Sequence, residues 1–363
     1  MLFRACLLLA FVPLLGAQPA PVPTSNAELL SLIKQRVDAG RNTGIVVGVL
    51  RSGAAPLVAA YGNPGPGAAP LDADSVFEIG SITKVFTTTL LLDMADRGLV
   101  KLDDPLGKYL PSSVRVPSRN GRQITLVDLA THTSGLPRLM TNLTPADPGN
   151  PYGSYTVEQL YAFLSSYELP RDIGAQYEYS NVGMGILGHV LALRAGKDYE
   201  ELVAERILRP LGMTHTGITL TPWMKQHLAV GHNMAHAPVP AWDVRTIAGA
   251  GALRSTLTDM LTFARANLSP KAGKLQSLMQ EAHKPRHDTG RPGLSVGLAW
   301  HIRASSDQTI VWHNGGTGGY RTWMGFDAKR GTAAVVLTNS THGADDLGLM
   351  LLTPNSQPPT PKK

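Results

Sequence analysis

The chain has 363 residues, 43% hydrophobic and 17% charged, with Gly 37 and Pro 27. That length allows one large domain or two modest ones with full cores, and the composition excludes disordered, collagen-like and coiled-coil proteins. The formal net charge is +6, but the basic residues are scattered, and no stripe of the kind that binds nucleic acid is present.

In chain order, Met1-Leu2-Phe3-Arg4 leads into an apolar run from Ala5 to Leu15, followed by the small residues Gly16-Ala17. One basic residue, a short apolar core and a small-residue exit predict a secretory signal over 1–17, hence an exported protein, periplasmic or secreted. A buried first helix would have to contain Pro13, and the run is shorter than the roughly 20 apolar residues of a transmembrane span. Cys6, the only cysteine, falls inside it, so the mature chain is predicted to lack disulfides, thiol nucleophiles and thiolate zinc sites. Residues 18–24 read as a Pro-rich linker.

Asn26 to Ala39 sets Leu29, Leu30, Ile33 and Val37 on one face of an amphipathic helix. Two β-type runs follow, Gly44 to Leu50 and Leu57 to Tyr61, around the turn Arg51-Ser52-Gly53. Helical stretches are predicted at Ser81 to Arg97, Thr125 to Thr131, Thr156 to Ser165, Asn181 to Ala195, Tyr199 to Leu208 and Thr258 to Ala266. Strands are predicted at Val296 to Ile302, Thr309 to His313, Tyr320 to Asp327 and Thr332 to Asn339. The expected class is α+β: an antiparallel sheet built from both chain ends, flanked by helices, with a mostly helical subdomain inserted over about 100–290 of a 25–352 domain. Residues 353–363 read as a Pro-rich, flexible tail.

Three segments carry candidate chemistry. Ser81-Ile82-Thr83-Lys84 opens a long apolar helix behind Gly80. Ser at i and Lys at i+3 share a helical face, so the amine can take the hydroxyl proton, and the helix N-terminus leaves the serine N–H free for an oxyanion. Spacing alone is weak, since a chain this long holds about one such pair by chance. Ser31-Leu32-Ile33-Lys34 is a decoy with the same spacing on a solvated face. Lys84, among Ile82, Val85 and Phe86, is predicted to be buried, which lowers an amine's pKa and makes it a base. Tyr179 and Asn181, in Tyr177-Glu178-Tyr179-Ser180-Asn181, are placed to face one side, Tyr179 as a proton relay and Asn181 to hold a substrate amide or orient the lysine; the bland alternative is that Ser180 or Asn181 merely caps a helix. His313-Asn314-Gly315-Gly316-Thr317-Gly318-Gly319 joins two predicted strands, and its glycines let a ligand approach backbone N–H groups, unless it is only a glycine-rich hairpin.

Together, in order and spacing, these segments resemble the Ser-x-x-Lys, Tyr-x-Asn and Lys/His-x-Gly motifs of the serine β-lactamase and penicillin-binding-protein superfamily. Phe77 to Lys84 is similar to the class C β-lactamase signature except at Thr83, and the stretches Leu126 to Pro137 and Arg209-Pro210-Leu211-Gly212-Met213 resemble the same family. The resemblance spans about Ser25 to Leu352. It implies that Ser81 is acylated, that Lys84 and Tyr179 share the acid and base work, and that Asn181 contacts the substrate side-chain amide. It also implies that His313, Asn314 and Gly315 bind substrate and that the N–H groups of Ser81 and Gly316 form the oxyanion hole. His313 stands where class C enzymes carry lysine, as in D-alanyl-D-alanine carboxypeptidases, and is expected to titrate near neutrality and pull less on a substrate carboxylate. Arg138-Leu139 occupies the place of a glutamine that holds β-lactam side chains.

The implied function is an exported serine hydrolase acting on β-lactam or D-Ala-D-Ala-type amides, the substrate a small molecule or a peptidoglycan peptide. A carboxylesterase of the same fold and a penicillin-binding sensor without turnover are the alternatives. No cofactor and no metal are expected: His227, His232 and His236, and the pair His283 and His287, lack a His-Glu-x-x-His order. A Ser-His-Asp esterase would need a Gly-x-Ser-x-Gly elbow, which is absent from the sequence. The oligomeric state is left open by the sequence.

Overall fold

The computed structural model describes residues 22–353. The signal expected over 1–17, part of the linker and all but the first residue of the tail lie outside the described residues. The central element is an eight-stranded sheet in the order Leu57–Gly62, Gly44–Arg51, Thr332–Thr338, Arg321–Asp327, Thr309–Gly316, His301–Ala304, Leu294–Val296, His287–Arg291. All pairings are antiparallel. Early and late strands meet at Gly44–Arg51 and Thr332–Thr338, paired in one register from Ile45 with Thr338 to Arg51 with Thr332.

Those strands are buried along almost their full length, because both faces of the sheet are covered and alternation serves two cores rather than a core and solvent. Ile45, Val47 and Val49 pack with Leu29, Ile33, Leu347 and Leu351 from helices Asn26–Asp38 and Asp345–Leu352. Val46 and Leu50 point the other way, into the larger core shared with the helical region. Helix Leu257–Leu268 lies so close on that face that a Cβ at Gly48 would stand 2.8 Å from Leu261 Cδ1.

Helix Thr83–Asp96 runs through the large core with Thr83 to Met94 all buried, as expected for a helix apolar on every side. Its threonine hydroxyls are satisfied internally: Thr89 Oγ1 donates to Val85 O at 2.7 Å, Thr88 Oγ1 to Leu298 O at 3.1 Å and Thr87 Oγ1 to Gly249 O at 2.8 Å. Thr156 and Ser180 cap the helices they precede by accepting from Gln159 N and Gly183 N.

The single strand expected over Val296 to Ile302 is instead a tight hairpin. Val296 pairs with His301, and Gly297 N donates to Trp300 O at 2.8 Å. Ala299 takes φ +63°, and the turn is held by Leu298 N to Ala282 O at 2.9 Å and Ala299 N to Ala130 O at 2.8 Å. Because the turn is buried, its residues are apolar and read as strand. Tyr199–Val203 continues as a wider, π-type turn over Ala204–Leu208. Strand His287–Arg291 and helices Lys274–Ala282 and Asp345–Leu352 were not expected from the sequence.

Candidate active site

Strand Phe77–Glu78 enters the site paired with Arg254–Ser255. Ile79 is then strapped from two sides, its N–H donating to Leu253 O at 3.0 Å and its carbonyl accepting from Thr322 Oγ1 at 2.9 Å. Gly80 follows at φ +52°, and a Cβ there would sit 2.6 Å from Gly316 N. Only glycine permits both the left-handed turn and this approach of the 80–82 turn to the glycine strand. Ser81 emerges in the 3-10 turn Gly80–Ile82, part-exposed on the wall of a cleft of about 600 Å³.

Lys84 is fully buried, and its Nζ donates to Ser81 Oγ at 3.0 Å and to Ala250 O at 2.6 Å. Among the described residues it has no carboxylate partner. Burial, and secondarily the Arg138 charge, hold the amine well below its ordinary pKa, so its neutral, proton-accepting form is favoured. The carbonyl before that of Ala250, Gly249 O, accepts from Thr87 Oγ1 at 2.8 Å, and that hydroxyl also lies 2.7 Å from Tyr199 OH. The decoy behaves differently: Ser31 and Lys34 are exposed, and Lys34 pairs with Asp38 at 2.6 Å.

Tyr179 arrives from the loop ahead of helix Asn181–Ala195. Lys84 Nζ lies 4.9 Å from its ring centroid and Arg138 Cζ 5.1 Å. The His132 ring packs 4.6 Å away and His313 6.2 Å. Burial raises the phenol's pKa, opposed chiefly by the Ser81 hydroxyl, so the protonated phenol is favoured. Ser180, not Asn181, is the helix cap. Asn181 N donates to Arg138 O at 2.9 Å, while its Oδ1 is buried without a partner at the cleft wall.

The third segment forms strand Thr309–Gly316. The structure corrects the titration expected for His313. The ring is fully buried, and burial, with His301 and Lys84 nearby, pushes its pKa well below the ordinary value. It is neutral at physiological pH. Its Nδ1 lies 2.6 Å from Asn314 O, and its Nε2 is buried without a partner. Asn314 donates from Nδ2 to Asp345 Oδ2 at 2.9 Å, tying the strand to the last helix. Asn314, Gly315 and Gly316 line the cleft. A side chain at Gly315 would collide with Ile79 O, so this glycine lets the strand lie against the serine turn.

Ser81, Tyr179, Asn181, Asn314, Gly315 and Gly316 therefore line one cleft, while Lys84 is buried behind it on Ser81 and His313 is buried 6.2 Å from the Tyr179 ring rather than on the cleft wall. Sequence reasoning missed Arg291, His301, Trp242 and Arg321, which also line it. His227, His232 and His236 go to separate partners: Trp223, Asn339 and Thr43.

A serine whose hydroxyl is held by a buried, uncompensated amine beside a phenol, on an antiparallel sheet flanked by helices, defines a serine hydrolase. The Beta-lactamase family model matches residues 29–351, and the chain belongs to that family. It is 33% identical over 341 residues to the D-alanyl-D-alanine-carboxypeptidase/endopeptidase AmpH of Escherichia coli (strain K12), covering 90% of this chain and 87% of that protein. A Pseudomonas fluorescens beta-lactamase is 26% identical over 75% of this chain and 82% of its own. Among solved structures, the beta-lactamase/D-alanine carboxypeptidase of Yersinia pestis complexed with citrate superimposes with TM-score 0.76 at 27% identity, covering 90% of this chain and 99% of that one.

Proposed function

We propose that this hydrolase is exported and cleaves peptides ending in D-Ala-D-Ala through an acyl-enzyme on Ser81, and that β-lactams acylate the same serine. The observation that carries the reading is Lys84 Nζ, fully buried, 3.0 Å from Ser81 Oγ. The carboxypeptidase activity named for the Escherichia coli relative supports the substrate class. The basic-then-apolar pattern of residues 1–17 supports export.

In this reading Lys84 is the first base, since its environment favours the free amine while that of Tyr179 favours the intact phenol. Ser81 Oγ gives its proton to Lys84 and bonds to the carbonyl carbon. The carbonyl electron pair moves to oxygen, where the N–H groups of Ser81 and Gly316 receive it. The C–N bond then breaks, and the leaving amine takes a proton from the Tyr179 hydroxyl, which Lys84 replenishes. Water, giving its proton to the same pair, hydrolyses the ester and restores Ser81. The unpartnered Asn181 Oδ1 accepts from an N–H on the acyl side. A neutral His313 and Leu139 at the cleft wall favour D-Ala-D-Ala peptides over efficient β-lactam hydrolysis.

The test is a mass shift on incubation with a β-lactam, with mapping of the labelled peptide and turnover of nitrocefin, p-nitrophenyl butyrate and a D-Ala-D-Ala peptide. The adduct is expected on Ser81 and lost in Ser81→Ala, with Ser31→Ala labelled like the wild type. A label elsewhere sinks the proposal; an adduct without turnover of any substrate marks a sensor, and turnover of the ester alone an esterase.

A further inference from the structure

Helix Leu126–Ala130 is capped at its C-terminus by Thr131, and the residue after that cap, His132, takes a left-handed backbone at φ +59°. Glycine or asparagine is the usual occupant of such a position, because a Cβ is penalised there. A histidine in its place needs a reason in its side chain. His132 is buried, and its two acceptors meet the amides on either side of Tyr179. Its carbonyl accepts from Glu178 N at 2.8 Å and its Nδ1 from Ser180 N at 3.1 Å. Its ring also lies against the phenol, 4.6 Å between centroids at 32°. One residue therefore grips the backbone before and after Tyr179 and backs its ring.

A backbone N–H can only donate, so the Ser180 bond leaves Nδ1 without a proton and puts the proton of the neutral ring on Nε2. Nε2 is buried without a partner, so among the described residues the Ser180 amide is the ring's only hydrogen-bond partner. Burial, and secondarily the Lys84 charge, hold the imidazole well below its ordinary pKa. That keeps the acceptor, since a second ring proton would sit on Nδ1 and face the Ser180 N–H. Ser180 is fixed on its other side too: its hydroxyl donates to Pro137 O at 2.6 Å and accepts from Gly183 N at 2.8 Å. His132 itself does not line the cleft.

Resting on the hydrolase reading above, we propose that His132 is a positioning residue for Tyr179: its Nδ1 and carbonyl hold the amides of Ser180 and Glu178, and its ring sets the plane of the phenol. It acts through Tyr179 and touches neither substrate nor reacting atoms. Its effect therefore falls on the step that needs the Tyr179 proton. An amine leaves as the C–N bond breaks only by taking that proton, whereas p-nitrophenolate leaves as a stable anion without one.

The experiment reads kcat/KM on a D-Ala-D-Ala peptide and on p-nitrophenyl butyrate in two variants. His132→Phe keeps a ring and removes the acceptor. His132→Asn loses the ring but keeps an acceptor at the δ1 position, in a residue that tolerates the left-handed backbone. In His132→Phe the peptide value is expected to fall about 100-fold, through kcat, and the ester value less than about threefold. His132→Asn should show the same peptide-selective loss, smaller at about tenfold. Wild-type peptide turnover in either variant, or equal losses on both substrates in His132→Asn, overturns the assignment. A second measurement needs no turnover: nitrogen-15 NMR of the wild-type histidine rings at neutral pH, with His132 identified by its absence from the His132→Asn spectrum. The proton is expected on Nε2, and a proton on Nδ1 overturns the proposal. If Ser81→Ala still turns over substrate, the hydrolase reading fails instead, and the tautomer still decides whether His132 holds Ser180.

Discussion

Lys84 carries two opposed demands. Catalysis needs a neutral amine at Ser81, and the protein obtains it by removing Lys84 entirely from solvent and giving it only a hydroxyl and a carbonyl as partners. Stability suffers, because the unfolded chain binds a proton there that the folded chain rejects. Burial holds the folded amine's pKa well below that of an ordinary lysine, so stability rises with pH from the folded pKa up to about 10.5, where the unfolded lysine titrates. Lys84→Met, similar in length and apolar, should abolish acylation yet stabilise the fold at neutral pH by about 1–2 kcal/mol. The gain should shrink as pH approaches about 10.5, where the wild-type lysine takes up progressively less proton on unfolding. Thermal melts of both proteins at pH 7 and pH 10 check this; an equal difference at both would contradict a neutral buried amine. This pair was legible in the sequence because i, i+3 geometry is local and because the flanking Ile82, Val85 and Phe86 betray burial. Arg291 and His301 were not, since each is one polar residue on a short strand and the cleft it lines exists only in three dimensions. His313 was legible as a site residue through resemblance alone, and its charge was misjudged because burial of one strand residue depends on everything packed over it.

At the scale of elements, the site depends on how closely the serine turn abuts the glycine strand. Gly80 at φ +52°, 2.6 Å from Gly316 N measured from where a Cβ would stand, sets that separation. Gly80→Ala would meet a left-handed penalty of about 1–2 kcal/mol and would push the two N–H groups of the proposed oxyanion hole apart. The expected result is a folded protein with kcat down roughly 10²–10³-fold, measured on a D-Ala-D-Ala peptide alongside circular dichroism. Near-wild-type turnover would remove Gly316 N–H from the mechanism. The same scale shows where pattern reading works. The helices Asn181–Ala195 and Leu257–Leu268 were anticipated because apolar residues and capping serine or threonine agree locally. The run Val296 to Ile302 misled because a buried turn has the composition of a strand. Strand His287–Arg291, mostly polar and at the sheet edge, lacks the alternation by which strands are recognised.

Across the whole molecule, histidines are buried in numbers that make the fold acid-sensitive. His132, His189, His283, His301 and His313 all have pKa values lowered chiefly by burial, His283 to about 3 and His301 to about 4. Each is neutral in the folded chain at pH values where the unfolded chain, near 6.5, is protonated. The unfolded state then binds more protons, so the stabilising contribution is complete above pH 6.5 and is lost as pH falls through 6.5 toward 4 and, for His283, toward 3. The carboxyls Glu78, Asp259 and Asp345, raised by burial, oppose this, but each is partly compensated by hydrogen bonds and they are fewer. Melting temperature should therefore drop steeply between pH 6.5 and 4, before the mass of surface carboxylates titrates. His283 isolates the effect from the active site: it lies against Trp300 and Phe326 and bonds to Asn267 Oδ1 at 2.9 Å. His283→Leu should cost stability at pH 7, by leaving that amide oxygen unpaired, yet flatten the acid slope by up to about one proton. Urea unfolding at pH 7, 5.5 and 4.5 gives the slope directly, and a variant as steep as wild type would show that the histidines are not what ties this fold to neutral pH.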